Sequence, residues 1–189
     1  MPTTPTPRYD AVSQAFHWVT AIAILAAFIL GPEGFGRMLH NGIDPGTLSD
    51  VVWHESLGML IFVVTLLRLL WTAVRPAPPR TSLAGWMHVF SKFAHLALWA
   101  MLIALPITAL LTLGSEGAPL TLLGGVRVDQ LPLIAGSGIA EFADWGEVHS
   151  WMGDAIIWLA GLHAAAAIHH HVMLNDGVLA SMVPWLKSR

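Results

Sequence analysis

Four long apolar stretches, set apart by polar or Gly- and Pro-rich segments, dominate the pattern along the chain. The first runs from about Ala11 to Leu30 and stops at Gly31-Pro32. The second runs from about Val51 to Val74 and is closed by Arg75-Pro76-Ala77-Pro78-Pro79-Arg80. The third covers about Trp86 to Leu113, with Pro106 inside it as a predicted kink that neighbouring helices must accommodate. The fourth runs from about Trp145 to Leu174. A bilayer core of about 30 Å takes roughly 20 apolar residues of helix, so each stretch can cross. The pattern predicts an all-α integral membrane four-helix bundle over residues 11–189, preceded by a disordered cytoplasmic tail at 1–10. The first apolar run lacks an A-x-A-like exit and continues as a full span, so it reads as a helix rather than a cleaved leader.

Two connections stand out. Pro32 to Asp50 joins the first two spans. Gly114 to Asp144 joins the last two, is rich in Gly and Pro, and carries Leu120, Leu122, Leu123, Leu131, Leu133 and Ile134. That apolar content predicts a loop lying along the membrane surface.

Composition agrees with the membrane reading: 55% of the 189 residues are hydrophobic and 11% charged, where a soluble domain carries about 25% charged. The length suits one compact domain. The basic residues set the orientation. With both termini in the cytoplasm, Arg8, Arg68, Arg75, Arg80, Lys92, Lys187 and Arg189 fall at the inner side, and only Arg37 and Arg127 outside. Trp53, Trp86, Trp145 and Trp185 then sit at the interfaces as an aromatic belt. Arg68, about one and a half turns from its helix end, can snorkel to the surface.

Cysteine is absent. That excludes disulfides, cysteine zinc sites, iron–sulfur clusters and covalent haem attachment through C-x-x-C-H. No H-E-x-x-H, Walker A or G-x-G-x-x-G signature is present. The few, dispersed basic residues argue against nucleic-acid binding. Any redox cofactor must be held by other ligands, and the ten histidines are the candidates.

Ionisable groups inside spans are costly and mark function. His17, His54, His95, His149, His163 and His170 are so placed. His149 and His163 are 14 residues apart on the fourth span, so both point to nearly the same face, about 21 Å apart along the axis. That separation suits two haems, one near each surface. His54 lies level with His149, and His17 lies at the depth of His163, so two His–Fe–His centres emerge. Bis-imidazole ligation favours electron transfer over oxygen binding. His95 sits at the same depth as His17, and depth alone does not separate the two as ligands. His95 and His170 also have the donors and proton acceptors that a quinone needs at the headgroup level. Gly31, Gly58, Gly153 and Gly161 are expected to relieve crowding where helices or a macrocycle approach. Glu55, Glu147 and Asp154 are candidates to support the histidines, and Ser150 and Trp151 to line the outer pocket. His40, His88, His169 and His171 receive no such role.

Five strings carry a family likeness: F-H-W at Phe16–Trp18, W-H-E-S-L-G at Trp53–Gly58, V-V-T-L-L-R-L at Val63–Leu69, A-H-L-A-L-W-A-M-L-I-A-L-P at Ala94–Pro106, and G-L-H-A-A-A-A-I-H-H-H at Gly161–His171. They resemble the bacterial cytochrome b561 family, most closely its di-haem superoxide oxidases. The likeness spans all four helices and the terminal Met182–Pro184, while the two external loops match poorly. It implies two non-covalent haem b groups whose irons are held axially by His17, His54, His149 and His163. It implies a quinone pocket at His170 with His95 nearby, and so selects His17 over His95. The activity it implies is a superoxide:quinone oxidoreductase, oxidising superoxide outside and reducing ubiquinone inside.

The outer face weighs against that substrate. Glu33, Asp44, Asp50, Glu55, Glu116, Asp129, Glu141, Asp144 and Glu147 face only Arg37 and Arg127, and an anion is drawn in by positive potential. An arginine at the haem edge would answer the objection. A second reading is a quinone-linked electron-transfer module whose acidic rim receives a basic periplasmic redox protein. A third, of another class, is a histidine-lined proton or metal transporter.

Overall fold

The computed structural model describes residues 8–75, 85–129, 134 and 136–186. The tail at residues 1–7, the segment Pro76–Arg80, and Leu131, Leu133, Lys187 and Arg189 lie outside the described residues. The long helices are α1 (Ala11–Ile29), α3 (Ser49–Val74), α4 (Gly85–Glu116) and α5 (Trp145–His169), joined by a short α2 (Phe35–His40) and followed by a short α6 (Val178–Met182). All four long helices are apolar and long enough to cross a membrane, α5 together with its continuation to Leu174.

The ends of these helices follow from local chemistry. Asp10 caps α1 by accepting from Ser13 N at 2.9 Å. α3 stops because Arg75 precedes Pro76 and is extended, with ψ at 159°. α4 runs through Pro106, which has no N–H to give and is buried against its neighbours. Asp144 caps α5 by accepting from Glu147 N at 2.9 Å. α5 then widens into a π-helical turn, His170–Leu174, ended by the left-handed Asn175.

α1 packs chiefly on α3, and α4 on α5. Between them lies an apolar layer of Ala23, Ala27, Ile61, Leu102 and Ile156, extended by Leu57, Leu98 and Leu105. Outward-facing apolar residues such as Ile22, Leu70, Phe93 and Trp158 stay exposed in the protein alone, as a lipid-facing girdle requires.

The loop between α4 and α5 is not purely irregular. It contains an antiparallel hairpin, β1 (Leu120–Leu122) with β2 (Val126–Val128), in the register Leu120↔Val128 and Leu122↔Val126. Its reversal uses two successive positive φ values, 84° and 80°, supplied by Gly124 and Gly125. Leu113, Ala118 and Leu120 pack under it with Phe35, Leu39 and Val128, so hairpin and α2 together close one end of the bundle.

The opposite end is where the chain's two ends meet. Arg8 donates to the carbonyls of Pro184 (2.6 Å) and Leu186 (2.8 Å), Gln14 to Ser181 O (3.0 Å), and Trp18 to Met182 O (3.0 Å). The last positions of the expected disordered tail, 8–10, are thereby held against α6 and α1.

Asp10 is the knot of that end, because its carboxylate also accepts from Ser13 Oγ at 2.6 Å and from Trp71 Nε1 of α3 at 3.2 Å. Burial raises its carboxyl, but the bonds from Ser13 and Trp71 outweigh this and hold it below the ordinary carboxylate range. A depressed native value means the contribution is present above the unfolded pKa, about 3.9, and is lost as pH falls through the native value. Asp10→Ala should cost about 1 kcal/mol, as cap removal does, in equilibrium unfolding from mixed micelles at pH 7, and the difference from the parent should shrink as pH falls below the ordinary carboxylate range.

Candidate functional site

Two pairs of imidazoles occupy the bundle, one toward each end. At the hairpin end, His54 from the second turn of α3 meets His149 from the second turn of α5, with ring centres 6.0 Å apart and planes at 85°. Each ring is oriented from behind. His54 Nδ1–H donates to Ala27 O at 2.7 Å. His149 Nδ1–H donates to Leu105 O at 3.0 Å and lies 3.1 Å from Thr108 Oγ1, whose own proton goes to Leu105 O. A carbonyl can only accept, so Nδ1 carries the proton in both rings and Nε2 is free to ligate.

At the termini end, His17 from α1 lies beside His163 from α5, ring centres 6.4 Å apart and planes at 65°. His95 from α4 also reaches His163, at 5.2 Å, with Nδ1–H donating to Ser91 O at 2.6 Å. A metal–imidazole bond of about 2.0 Å, plus about 1.1 Å from ring nitrogen to ring centre, puts two axial imidazoles about 6.2 Å apart. The His54–His149 and His17–His163 pairs meet that separation, whereas His95–His163 is an ångström short of it.

A Cβ at Gly58, Gly153 or Gly161 would meet nothing within 4 Å, so no neighbouring helix crowds these three positions. Gly58 and Gly153 follow His54 and His149 by one turn on the same face. Gly31 does allow a close approach, since a Cβ there would lie 3.8 Å from His54 Cε1.

The hairpin is fastened immediately beside His54. Glu55 accepts from Thr121 N at 2.5 Å, and Ser56 Oγ accepts from Leu123 N at 2.9 Å. Arg127 on the same hairpin is clamped by Asp44 (2.9 Å) and Asp129 (2.6 Å). The two carboxylates hold its guanidinium well protonated, and Arg127 in turn holds the Asp44 carboxyl below its usual range.

Beyond His163, the π-helical turn directs His170 Nδ1 at the Asp176 carboxylate, whose other oxygen accepts from Val178 N at 3.1 Å. Both side chains are largely enclosed.

The prokaryotic cytochrome b561 family pattern matches the chain over residues 8–185. The chain belongs to the prokaryotic cytochrome b561 family. It is similar to cytochrome b561 homolog 2 of Escherichia coli (strain K12), 30% identical over 182 residues, 95% of this chain and 94% of that protein. It is similar also to the probable superoxide oxidase CybB of Yersinia pestis, 25% identical over 94% of this chain and 96% of that one. Cytochrome b561 homolog 1 of E. coli is 20% identical over 94% and 97%. This cytochrome is thus a multi-pass bacterial membrane protein of electron transfer, in an oxidoreductase-type family that uses haem b.

Several residues neighbouring the histidines in sequence take no part in the cytochrome's paired sites. Ser150 and Trp151 are exposed, because positions one and two beyond His149 turn to other faces of α5. Glu147 and Asp154 are exposed and make no side-chain contact with a histidine among the described residues. His40, His88 and His169 are also exposed. Conversely, Thr108 and Asp176 support His149 and His170 from positions that no spacing rule singles out, while Ser91 stands one turn before His95 on the same helix.

The hairpin's fastening is directly testable. The double substitution Glu55→Ala with Ser56→Ala should speed amide hydrogen exchange at Thr121 and Leu123 while leaving the mid-bundle amides of α3 and α5 unchanged.

Proposed function

We propose that each imidazole pair holds one haem b, His54 with His149 and His17 with His163, and that the protein couples superoxide oxidation at the periplasmic side to ubiquinone reduction at the cytoplasmic side. The observation that carries the reading is the pair geometry: two ring separations of 6.0 and 6.4 Å, with the α5 partners 14 residues apart on one face. When bound, haem supplies one-electron exchange between ferric and ferrous iron. Two axial imidazoles leave no open coordination position, which suits transfer rather than oxygen binding. The balance is two superoxide anions, one quinone and two protons giving two dioxygen molecules and one quinol.

The chain's own groups divide the remaining work. The apolar layer of Ile61, Leu102 and Ile156 separates the two levels and keeps water and protons from passing between them. His170, with Nδ1 held by Asp176, offers Nε2 to a quinone oxygen and can deliver a proton there. His95 stands beside His163 on the same side. The orientation with both termini in the cytoplasm rests on the basic residues of that end, Arg8, Arg68, Arg75 and Lys92. Likeness to the Yersinia protein supports superoxide as the donor.

One observation favours a second reading, a module exchanging electrons with a basic periplasmic protein. Arg127 is neutralised by Asp44 and Asp129, so of the two outer arginines only Arg37 remains, exposed, to draw an anion inward.

Purified protein should show b-type bands equivalent to two haems. His54→Ala or His149→Ala should remove one, His17→Ala or His163→Ala the other, and His95→Ala neither. Superoxide added to the oxidised form should produce the reduced bands within mixing time. Bands that respond to quinol and ignore superoxide would transfer the assignment to the electron-transfer module. Asp176→Asn should keep both haems but slow quinone-dependent reoxidation about tenfold or more.

A further inference from the structure

Arg68 has no counterpart in the roles assigned so far. It follows His54 on α3 by 14 residues, the same interval that separates His149 from His163 on α5. α3 therefore presents an imidazole at one level and a guanidinium at the other. Its Cζ lies 4.9 Å over the Trp99 ring of α4, one turn after His95, whose own ring is 5.2 Å from that of His163. Among the described residues no carboxylate lies within ion-pair distance of it. Arg75, two turns on, stands over Tyr9 and adds to the positive charge rather than offsetting it.

An arginine inside a membrane-spanning segment is costly unless an anion meets it. Trp99 supplies a cation–π contact to one face but leaves the in-plane N–H donors unpaired, and those are shaped for a carboxylate. Among the described residues no acid is in reach, so the ligand sought is one from outside them. Haem b brings two carboxylates of its own, and the guanidinium lies beside the pair proposed to hold one haem. The His170–Asp176 dyad lies two turns further along α5.

We infer that Arg68 is the anion-binding residue of the termini-end haem site and that its ligand is a haem propionate. This rests on the di-haem reading. The test uses the full-length protein in detergent, with Arg68→Met, which keeps a flexible stem on Trp99, and Arg68→Lys. Haem content per chain is measured by pyridine haemochrome, and both midpoint potentials by redox titration without quinone. Arg68→Met should bind the termini-end haem about tenfold more weakly, as loss of a hydrogen bond to a charged group does. Where that haem is retained, its midpoint should fall while the other stays fixed, and Arg68→Lys should restore most of both. Independently of folding in any variant, wild-type protein reloaded with haem whose propionates are methyl esters should fill the termini-end site about tenfold less well than with haem.

Two haems with unchanged midpoints in Arg68→Met, or equal loading of the ester, would overturn the assignment. Unchanged haems with weakened ubiquinone binding would overturn it in favour of a quinone oxyanion. Wild-type protein holding fewer than two haems would instead sink the di-haem reading on which it stands.

Discussion

An imidazole placed in an apolar bundle must find partners for both of its nitrogens, and that requirement organises this structure. At the hairpin end the demand is met on one side by backbone carbonyls, Ala27 O for His54 and Leu105 O for His149. The two rings of each pair stand 6.0 and 6.4 Å apart between centres. Helices from opposite sides of the bundle are thereby tied at matched depth, α3 to α5 at one level and α1 to α5 at the other. The apolar layer at Ile156, midway between His149 and His163, is where the helices pack on each other directly.

Much of this was legible in the residues. Apolar runs of span length announce the long helices because a bilayer leaves few alternatives. An interval of 14 residues announces two imidazoles on one face because helix geometry fixes it. His17 and His95 could not be told apart by depth, since depth counts residues along one axis and the difference lies across the bundle, 6.4 Å against 5.2 Å from His163.

What the residues hid was mostly lateral. The hairpin reads as an apolar loop until Gly124-Gly125 is taken as a reversal, and its fastening to Glu55 and Ser56 spans 66 and 67 positions. Asp176 reaches His170 only because the helix widens after His169 and then turns left-handed at Asn175. Arg127, a free cation when residues are counted, is spent on Asp44 and Asp129. The glycines were visible, but a missing Cβ does not say what lies opposite: the His54 ring faces Gly31, while no helix approaches Gly58, Gly153 or Gly161.

The position of α5 has a consequence for how the protein is made. It supplies one member of both imidazole pairs, and its continuation carries the π-helical turn and α6, on which the first residues of the chain close. A nascent chain that has inserted only α1, α3 and α4 holds His17, His54 and His95 but no pair at either level. Neither site can be assembled ahead of the other. Insertion of the last span is a single commitment point, before which neither imidazole pair exists and after which both can form.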